Sequence, residues 1–329
     1  MTSKAINVDT EKNSFFIRLL MIKEMSVIVP IIVLIIVGVY VNPNFLNKNN
    51  LWSLMRTASF MGIVAIPVGF LLTTKSLDLS VGQVVASSGI IFAIITLKRG
   101  VPLPMAIVLV LIYASLVGFI NGFLIVDVGL PAFLTTLGMQ FVLSGITSFI
   151  TKGEGFRGFP QWFTDIGQVK SFGFVTAEMW VMLFLAVAGH IILTKTVLGQ
   201  QILLIGTNAL TADLCGMNVK NIRKGAHIIT SLCGAIAAIL FCARTAQATS
   251  GTGSEWDLQL MVAALLGGTS MYGGTTSVIG TALGMIYMRL LINVLLMLGL
   301  HADWQFVGMG ISMVIAILFN VYRTRILEK

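Results

Sequence analysis

Long apolar runs, separated by short polar connections, fill most of this chain. A helix that crosses a membrane needs about 20 mostly apolar residues, because the hydrocarbon core is about 30 Å thick. The pattern predicts about ten spans, at residues 25–41, 51–73, 80–97, 103–125, 131–150, 178–195, 225–243, 258–271, 276–298 and 304–322. The eighth run is short, so we expect a tilted or re-entrant helix there, surrounded by protein or a cavity.

Composition supports an all-α integral membrane protein embedded in a lipid bilayer. Hydrophobic residues make up 57% of the 329 positions and charged residues only 10%, whereas a soluble domain carries roughly 25% charged residues. The net charge of +8 could indicate nucleic-acid binding, but the basic residues lie mainly between apolar runs, so we expect none. The first apolar run is too long for a signal-peptide core, so we expect it to remain as a helix.

Lysine and arginine positions predict the orientation. With the N-terminus in the cytoplasm, twelve of these residues fall inside and six outside, while three lie in or beside spans. The count favours an even number of spans with both termini cytoplasmic. The predicted parts are a cytoplasmic segment 1–24, a transmembrane domain 25–322 with an outside loop 151–177 and an inside loop 196–224, and a cytoplasmic tail 323–329.

Two stretches of the chain resemble each other. Asp78 and Asp257 each precede a leucine and a helix rich in small residues, and Gly89 and Gly268 follow at the same offset of 179 residues. In the predicted topology the spans before them run in opposite directions, which predicts two inverted halves, as is common in transporters. Chance similarity between apolar, small-residue helices is the alternative.

The motifs of several enzyme classes are absent. The sequence has no Gly-Lys pair for a phosphate-binding loop, no His-Glu-x-x-His and no Gly-x-Ser-x-Gly. The three histidines lie far apart and are expected to be packed or interfacial. The three cysteines lack metal-ligand spacing. We therefore predict neither catalytic residues nor a metal site.

Ionisable residues are rare inside the predicted spans. The acidic residues near spans all fall at span ends, which argues against coupling to protons or sodium and points to energy from another subunit. Arg289 is the one clear charge inside a span. It either faces a cavity or polar partner, or extends its charge toward the membrane surface.

Two glycine-containing segments stand out. Asn208 is a good N-cap and Gly216 a good helix stop, which predicts about two turns of helix inside the loop 196–224. Such a capped helix is either a docking element for a partner or an amphipathic helix on the bilayer surface. Glycines in 267–274 predict close helix packing or a re-entrant turn beside a pathway.

Four stretches, in order and at matching spacing, resemble the membrane permeases of ribose-type ABC sugar importers, in the branched-chain amino acid/ribose permease superfamily. The resemblance covers roughly residues 50–325. It is carried by Leu77-Asp78-Leu79-Ser80-Val81-Gly82, by Asn121-Gly122, by Gly206, Asn208, Leu214, Gly216 and Asn218-Val219, and by Gly251-Thr252-Gly253, Glu255, Leu266-Gly267-Gly268-Thr269-Ser270 and Gly273-Gly274. The chain departs from the family at 209–211 and at Trp256, which could alter which ATPase it accepts.

The resemblance implies a permease subunit for a ribose-, xylose- or galactose-like monosaccharide in a bacterial plasma membrane. The implied partners are an extracytoplasmic sugar-binding protein, a second permease copy and a cytoplasmic ABC ATPase, which holds ATP and Mg²⁺, so no cofactor is expected in this chain. The implied ATPase-coupling residues are Gly206, Asn208, Ala209, Ala212, Leu214, Gly216 and Asn218. The implied signature or pathway residues are Asp78, Ser80, Gly82, Asn121, Gly251, Gly253, Glu255, Gly267 and Gly268.

Polar residues within spans are candidates for lining the path, namely Gln140, Ser144, Asn293 and Gln305 together with Asn121. Three alternatives remain at this stage: a permease for nucleosides or branched-chain amino acids, a self-contained secondary transporter, and a membrane enzyme. Transport without an ATPase would favour the second, and a cluster of ionisable residues at one membrane face would favour the third.

Overall fold

The computed structural model describes residues 24–301 and 303–327, most of them in helices. The predicted segment 1–24 lies outside the described residues apart from its last residue. The elements in chain order are α1 (Met25–Val41), a 3-10 turn (Pro43–Leu46), α2 (Lys48–Thr73), α3 (Val81–Ala93) with a π-helical turn (Ile94–Lys98), α4 (Leu103–Val126), α5 (Ala132–Thr151), β1 (Phe156–Arg157), α6 (Gln161–Ile166), α7 (Ala177–Lys195), α8 (Val197–Thr207), α9 (Ala209–Leu214), α10 (Val219–Thr245), β2 (Gln247–Ala248), α11 (Trp256–Leu266), α12 (Val278–Met297) and α13 (Asp303–Leu327).

The helices have the lengths of a multi-pass membrane protein. Among the described residues, seven helices are long and apolar enough to cross a membrane: α2, α3 with its π-helical turn, α4, α5, α7, α10 and α12. The prediction of an all-α membrane protein is confirmed. The short eighth helix is also confirmed, because the 11 residues of α11 span roughly 17 Å at the usual rise, well below a bilayer core.

Burial separates central helices from outer ones. Most of α2 and much of α3 and α10 are buried, whereas α4, α5 and α7 expose large apolar side chains such as Phe141, Phe149 and Phe184. In water so many exposed aromatic and aliphatic residues would form an aggregating surface. In a bilayer such side chains can face lipid, so α5, α7 and the exposed face of α4 form the outer wall of the bundle, while the other face of α4 packs against α10.

The central helices pack in a repeating arrangement. Helix α2 packs against α11 and α12, and α10 packs in the same way against α3 and α4. Helices α2 and α10 also pack against each other, and in both groups the short helix packs against the long one that follows it. The core of the molecule therefore consists of two three-helix groups, one formed by α2 with α11 and α12 and the other by α10 with α3 and α4.

The connections predicted between the spans contain more regular structure than the sequence indicated. The inside loop 196–224 is mostly helical, because it contains α8, α9 and the first turns of α10. The loop 151–177 contains α6, and its strand β1 pairs antiparallel with β2. The tail predicted from residue 323 continues α13 to Leu327.

Residues separated by the 179-residue offset do not occupy fully equivalent positions in the structure. Asp78 precedes the first residue of α3, whereas Asp257 lies in the first turn of α11. Likewise Gly89 lies within α3, but Gly268 follows the end of α11 with φ +93°. A left-handed backbone favours glycine, so Gly268 serves a turn and Gly89 a helix contact.

Candidate functional site

Helix α9 forms where the sequence predicts a capped helix. The side chain of Asn208 accepts the backbone N–H three residues on, at 3.0 Å. At the other end Gly216 has φ +80°, and its N–H donates to Asp213 O at 2.8 Å, while Met217 N–H donates to Ala212 O at 3.1 Å. These two bonds form a Schellman motif. Both ends of a helix of only six residues are therefore fixed by local chemistry.

The two faces of α9 differ in burial. Ala212 is 3% exposed and packs in a small cluster with Ile205 of α8 and Val219 of α10, whereas Leu210 and Leu214 are 70% and 79% exposed. A helix with one anchored face and two exposed leucines presents an apolar surface without a described partner. That surface is suited to docking against another protein.

Backbone contacts anchor the end of α8, directly before α9, to the end of α2. Gly274 N–H donates to Thr73 O, the last residue of α2, at 3.0 Å. A Cβ atom at Gly206 would lie 1.9 Å from Thr73 O and 2.2 Å from Gly274 N. Gly273 and Gly274 both have positive φ values. The loop glycine and the late glycine pair, far apart in sequence, therefore meet at the end of α2.

The other predicted coupling residues lie close by. Asn218 caps α10 by accepting the backbone N–H of Asn221 at 3.0 Å. Ala209 packs partly buried beside Ala212. Lys75, just after α2, donates from Nζ to Thr207 O at 3.3 Å. All of the predicted coupling residues thus lie in or directly beside the capped helix α9.

A buried polar cluster surrounds Asp78. Ser80 donates to Asp78 Oδ1 from its backbone N–H at 2.8 Å and from its hydroxyl. The side-chain N–H of Asn121 donates to Ser80 Oγ at 2.9 Å and to Asp78 Oδ2 at 3.4 Å. His227 Nδ1 lies 3.5 Å from Asp78 Oδ2, and its Nε2 is 2.9 Å from Ser76 Oγ. The cluster joins the α2–α3 connection to α4 and α10.

Sequence reasoning missed His227 and the burial of two carboxylates. We expected His227 to be merely packed or interfacial, and the acidic residues to lie at span ends without being buried. Instead Asp78 and Glu178 are both buried, and Glu178 forms an ion pair with Arg56 on α2. Nothing in the spacing of these residues predicted the pairs. Among the described residues no group of three or more His, Cys, Asp or Glu could hold a metal ion.

The start of α3 touches the segment before α11. A Cβ atom at Gly82 would lie 2.3 Å from Gly253 O, and one at Gly253 would lie 2.3 Å from Gly82 O. Gly251 is close by in sequence but has open space around it. Glu255 precedes α11, and partial burial and the charge of Asp257 raise the pKa of its carboxyl above the ordinary value.

Small residues also bring α11 and α12 together. A Cβ atom at Gly280 would lie 1.9 Å from Gly267 O, and one at Gly284 would lie 2.1 Å from Ala263 O. Between the helices, the hydroxyls of Thr269 and Thr276 are 2.8 Å apart. Among the signature glycines, Gly82, Gly253 and Gly267 therefore serve close backbone contacts.

The candidate path residues do not form one cluster. Asn121 belongs to the Asp78 cluster, and Asn293 exchanges side-chain hydrogen bonds with Asn50 of α2 at 2.8 and 3.1 Å. Gln140 and Ser144 are half-buried on α5, and Gln305 is half-buried on α13. No described hydrogen bond joins Gln140, Ser144 or Gln305 to Asn293.

Comparison with known proteins adds a family. A family model described as the permease component of branched-chain amino acid transport systems matches residues 50–317. The ribose import permease protein of Haemophilus influenzae is 29% identical over 316 residues, 95% of this chain and 97% of that protein. The ribose import permease protein of Escherichia coli K12 is 31% identical over 306 residues, covering 90% and 93%. The autoinducer 2 import system permease protein of an Enterobacter species is 29% identical over 283 residues, covering 86% and 82%. No solved structure matches the chain.

Proposed function

This chain belongs to the family of permease components of branched-chain amino acid transport systems, and we propose that it is the membrane subunit of a binding-protein-dependent ABC importer for a monosaccharide. Membership in the superfamily identified from the sequence motifs is thereby confirmed. Relatives that match nearly their full length are named as ribose import permeases, which supports a sugar as the solute. A sugar-binding protein outside the membrane would deliver it.

The observation that carries this proposal is the exposed, doubly capped helix α9. We assign it as the coupling helix that docks on a cytoplasmic ABC ATPase. Its exposed Leu210 and Leu214 offer an apolar contact, and the contacts of Gly206 at Thr73 connect the preceding helix α8 to the end of α2. ATP and Mg²⁺ would bind to the partner, where hydrolysis supplies the energy.

We further propose that the chain spans a bacterial plasma membrane about ten times with both termini in the cytoplasm. The consecutive segments α2–α4 and α10–α12 would be inverted repeats, in which the first helix of each repeat packs against the second and third helices of the other. Their equivalent packing and the reciprocal contact between Gly82 and Gly253 support this arrangement. A second permease copy would complete the translocation path, with the two halves rocking between inward- and outward-open states.

Within this arrangement the signature residues hold the moving parts together. Asp78, Ser80 and Asn121 would fix the α2–α3 connection against α4 and α10, and the signature glycines would set the distances between helices. We keep Gln140, Ser144, Asn293 and Gln305 as candidate lining residues of the path. Contacts to the solute there should be weak, so that the binding protein sets specificity.

Reconstitution into proteoliposomes tests the proposal. The permease is combined with the ATPase and the binding protein encoded beside it, and uptake of labelled D-ribose is measured. We expect uptake that needs all three components and ATP. Uptake by the permease alone, driven by an ion gradient, would identify a secondary transporter instead. The family description favours leucine as the second probe, and uridine tests for a nucleoside permease.

A further inference from the structure

Arg289 places a guanidinium deep inside the membrane-spanning part of the bundle. It lies eleven residues after Val278, the first residue of α12, which is roughly 17 Å along the helix. Its Nη2 donates to the side-chain oxygen of Gln259 on the short helix α11. Its Nε is buried without a hydrogen-bond partner among the described residues. Charged residues at this depth usually face the bundle interior or a water-filled cavity and mark solute pathways.

The charge of Arg289 has no counter-ion. Within the described part of the chain, no carboxylate lies within 4 Å of its guanidinium, since Glu178 pairs with Arg56 and Asp127 with Lys224. The Gln259 amide satisfies one N–H donor only. A guanidinium carries five donors in a fixed plane, so several remain available to a ligand.

Those donors border a groove between α2 and α12. Four of its seven lining residues are polar, namely Ser53, Thr57, Arg289 and Asn293. The remaining wall is formed by leucine and isoleucine side chains. Donors and hydroxyls combined with aliphatic surface match the alternating C–H and O–H groups of a sugar.

A second arginine approaches the same groove. Arg244 of α10 donates from Nη1 to Thr57 Oγ1 at 3.5 Å and lies over the ring of Phe60. The groove therefore has a guanidinium on α12 and another behind its α2 wall. Asn293 is already satisfied by Asn50, which leaves Arg289 as the main free donor.

We propose that Arg289, held in place by Gln259, donates hydrogen bonds to hydroxyl oxygens of a neutral polyhydroxylated solute passing between α2 and α12. This inference rests on the proposed function and identifies a binding position within it. The competing explanation is that the Arg289–Gln259 bond serves only to tie α12 to α11.

A double-mutant cycle in which the protein and the sugar are each changed separates the two explanations. The wild-type complex and an Arg289→Met variant, each with the ATPase and binding protein, are reconstituted in proteoliposomes. ATP-driven uptake is measured for D-ribose and for its 2-deoxy and 5-deoxy analogues. Arg99→Met, which removes an exposed arginine beyond α3, is the matched control. Size-exclusion chromatography confirms that each complex is assembled.

We expect Arg289→Met to lower the uptake efficiency of D-ribose by about tenfold or more, as for the loss of a charged hydrogen bond, and Arg99→Met to leave it unchanged. At least one deoxy analogue should then show a much smaller drop on going from wild type to variant, because the contacted hydroxyl is already missing. The binding protein's own preference among the sugars affects wild type and variant equally, so it does not change the ratio between them.

Equal drops for D-ribose and every analogue would overturn the proposal and leave the purely structural bond. Wild-type uptake rates in Arg289→Met would overturn it as well. If Arg289→Met does not assemble, Arg289→Lys takes its place, and it should reduce the preference for the contacted hydroxyl while keeping the charge. A wild-type complex that takes up no D-ribose under ATP would instead refute the proposed sugar import, and the hydroxyl ligand with it.

Discussion

Replacing the exposed leucines of α9 tests the assignment of this helix as the contact for the ATPase. Leu214→Ala and Leu210→Ala remove apolar surface that is exposed in the permease itself. Alanine is the best helix former, and neither position belongs to the caps at Asn208 and Gly216. The changes should therefore leave the fold of α9 intact and act only on a complex in which these side chains become buried.

The size of the effect follows from the exposed fractions. Burying a whole leucine side chain stabilises by about 1.5–3 kcal/mol. With 79% of Leu214 exposed, docking can gain most of that amount, and alanine should lose about 1–2 kcal/mol. This corresponds to binding weakened about 5- to 30-fold. Leu210, at 70% exposed, should show a slightly smaller loss.

The assay is the dissociation constant between the ATPase and the permease in lipid nanodiscs, measured by biolayer interferometry. Leu183→Ala is the control, because this leucine is also exposed, at 52%, but lies on α7 in the outer wall. We expect its affinity to equal that of wild type. Affinities within twofold of wild type for both α9 variants would refute the coupling assignment, since the apolar face would then contact lipid or nothing.

Three further predictions concern packing and backbone. Asp78→Ala should lower the unfolding free energy, measured by denaturation in detergent, by about 3 kcal/mol or more, because it leaves several buried polar groups without partners. The double variant Asp78→Ala/His227→Leu should lose less than the sum of the two single losses. Strictly additive losses would contradict an interaction between Asp78 and His227. Gly280→Val should lower the yield of folded protein, because a Cβ atom there has no room, whereas Gly138→Val, with open space, should not. Gly216→Pro should abolish ATPase association but not membrane insertion, because proline cannot adopt φ +80°; normal association would contradict it.

The fold was predictable where apolar runs are long, and less so where helices are short or begin with polar residues. Helix α2 starts at Lys48, three residues before the predicted span, because the Asn47 side chain caps a polar first turn. Helix α8 was missed entirely. Its 11 residues are too few to span a bilayer, and Gln200 and Gln201 interrupt the apolar pattern, so it was predicted as loop.

The site was predictable only where its chemistry is local. The caps of α9 at Asn208 and Gly216 involve neighbours within a few positions, so residue type and spacing were enough. The bond between Ser76 and His227 joins residues 151 positions apart. Helical periodicity can show that such residues are buried, but it cannot show which helix they face. The contact between Gly206 and Gly274 could not be predicted either, because these residues are also far apart in sequence.

The buried carboxylates change the argument for an external energy source. The sequence indicated that no carboxylate lies inside the protein, yet Asp78 and Glu178 are buried. Each is already compensated, Asp78 by hydrogen bonds from Ser80 and Asn121 next to His227, and Glu178 by Arg56. Both carboxylates thus have polar partners within the protein. Burial alone therefore does not indicate ion coupling, and the exposed, capped helix α9 remains the observation that supports ATP-driven transport.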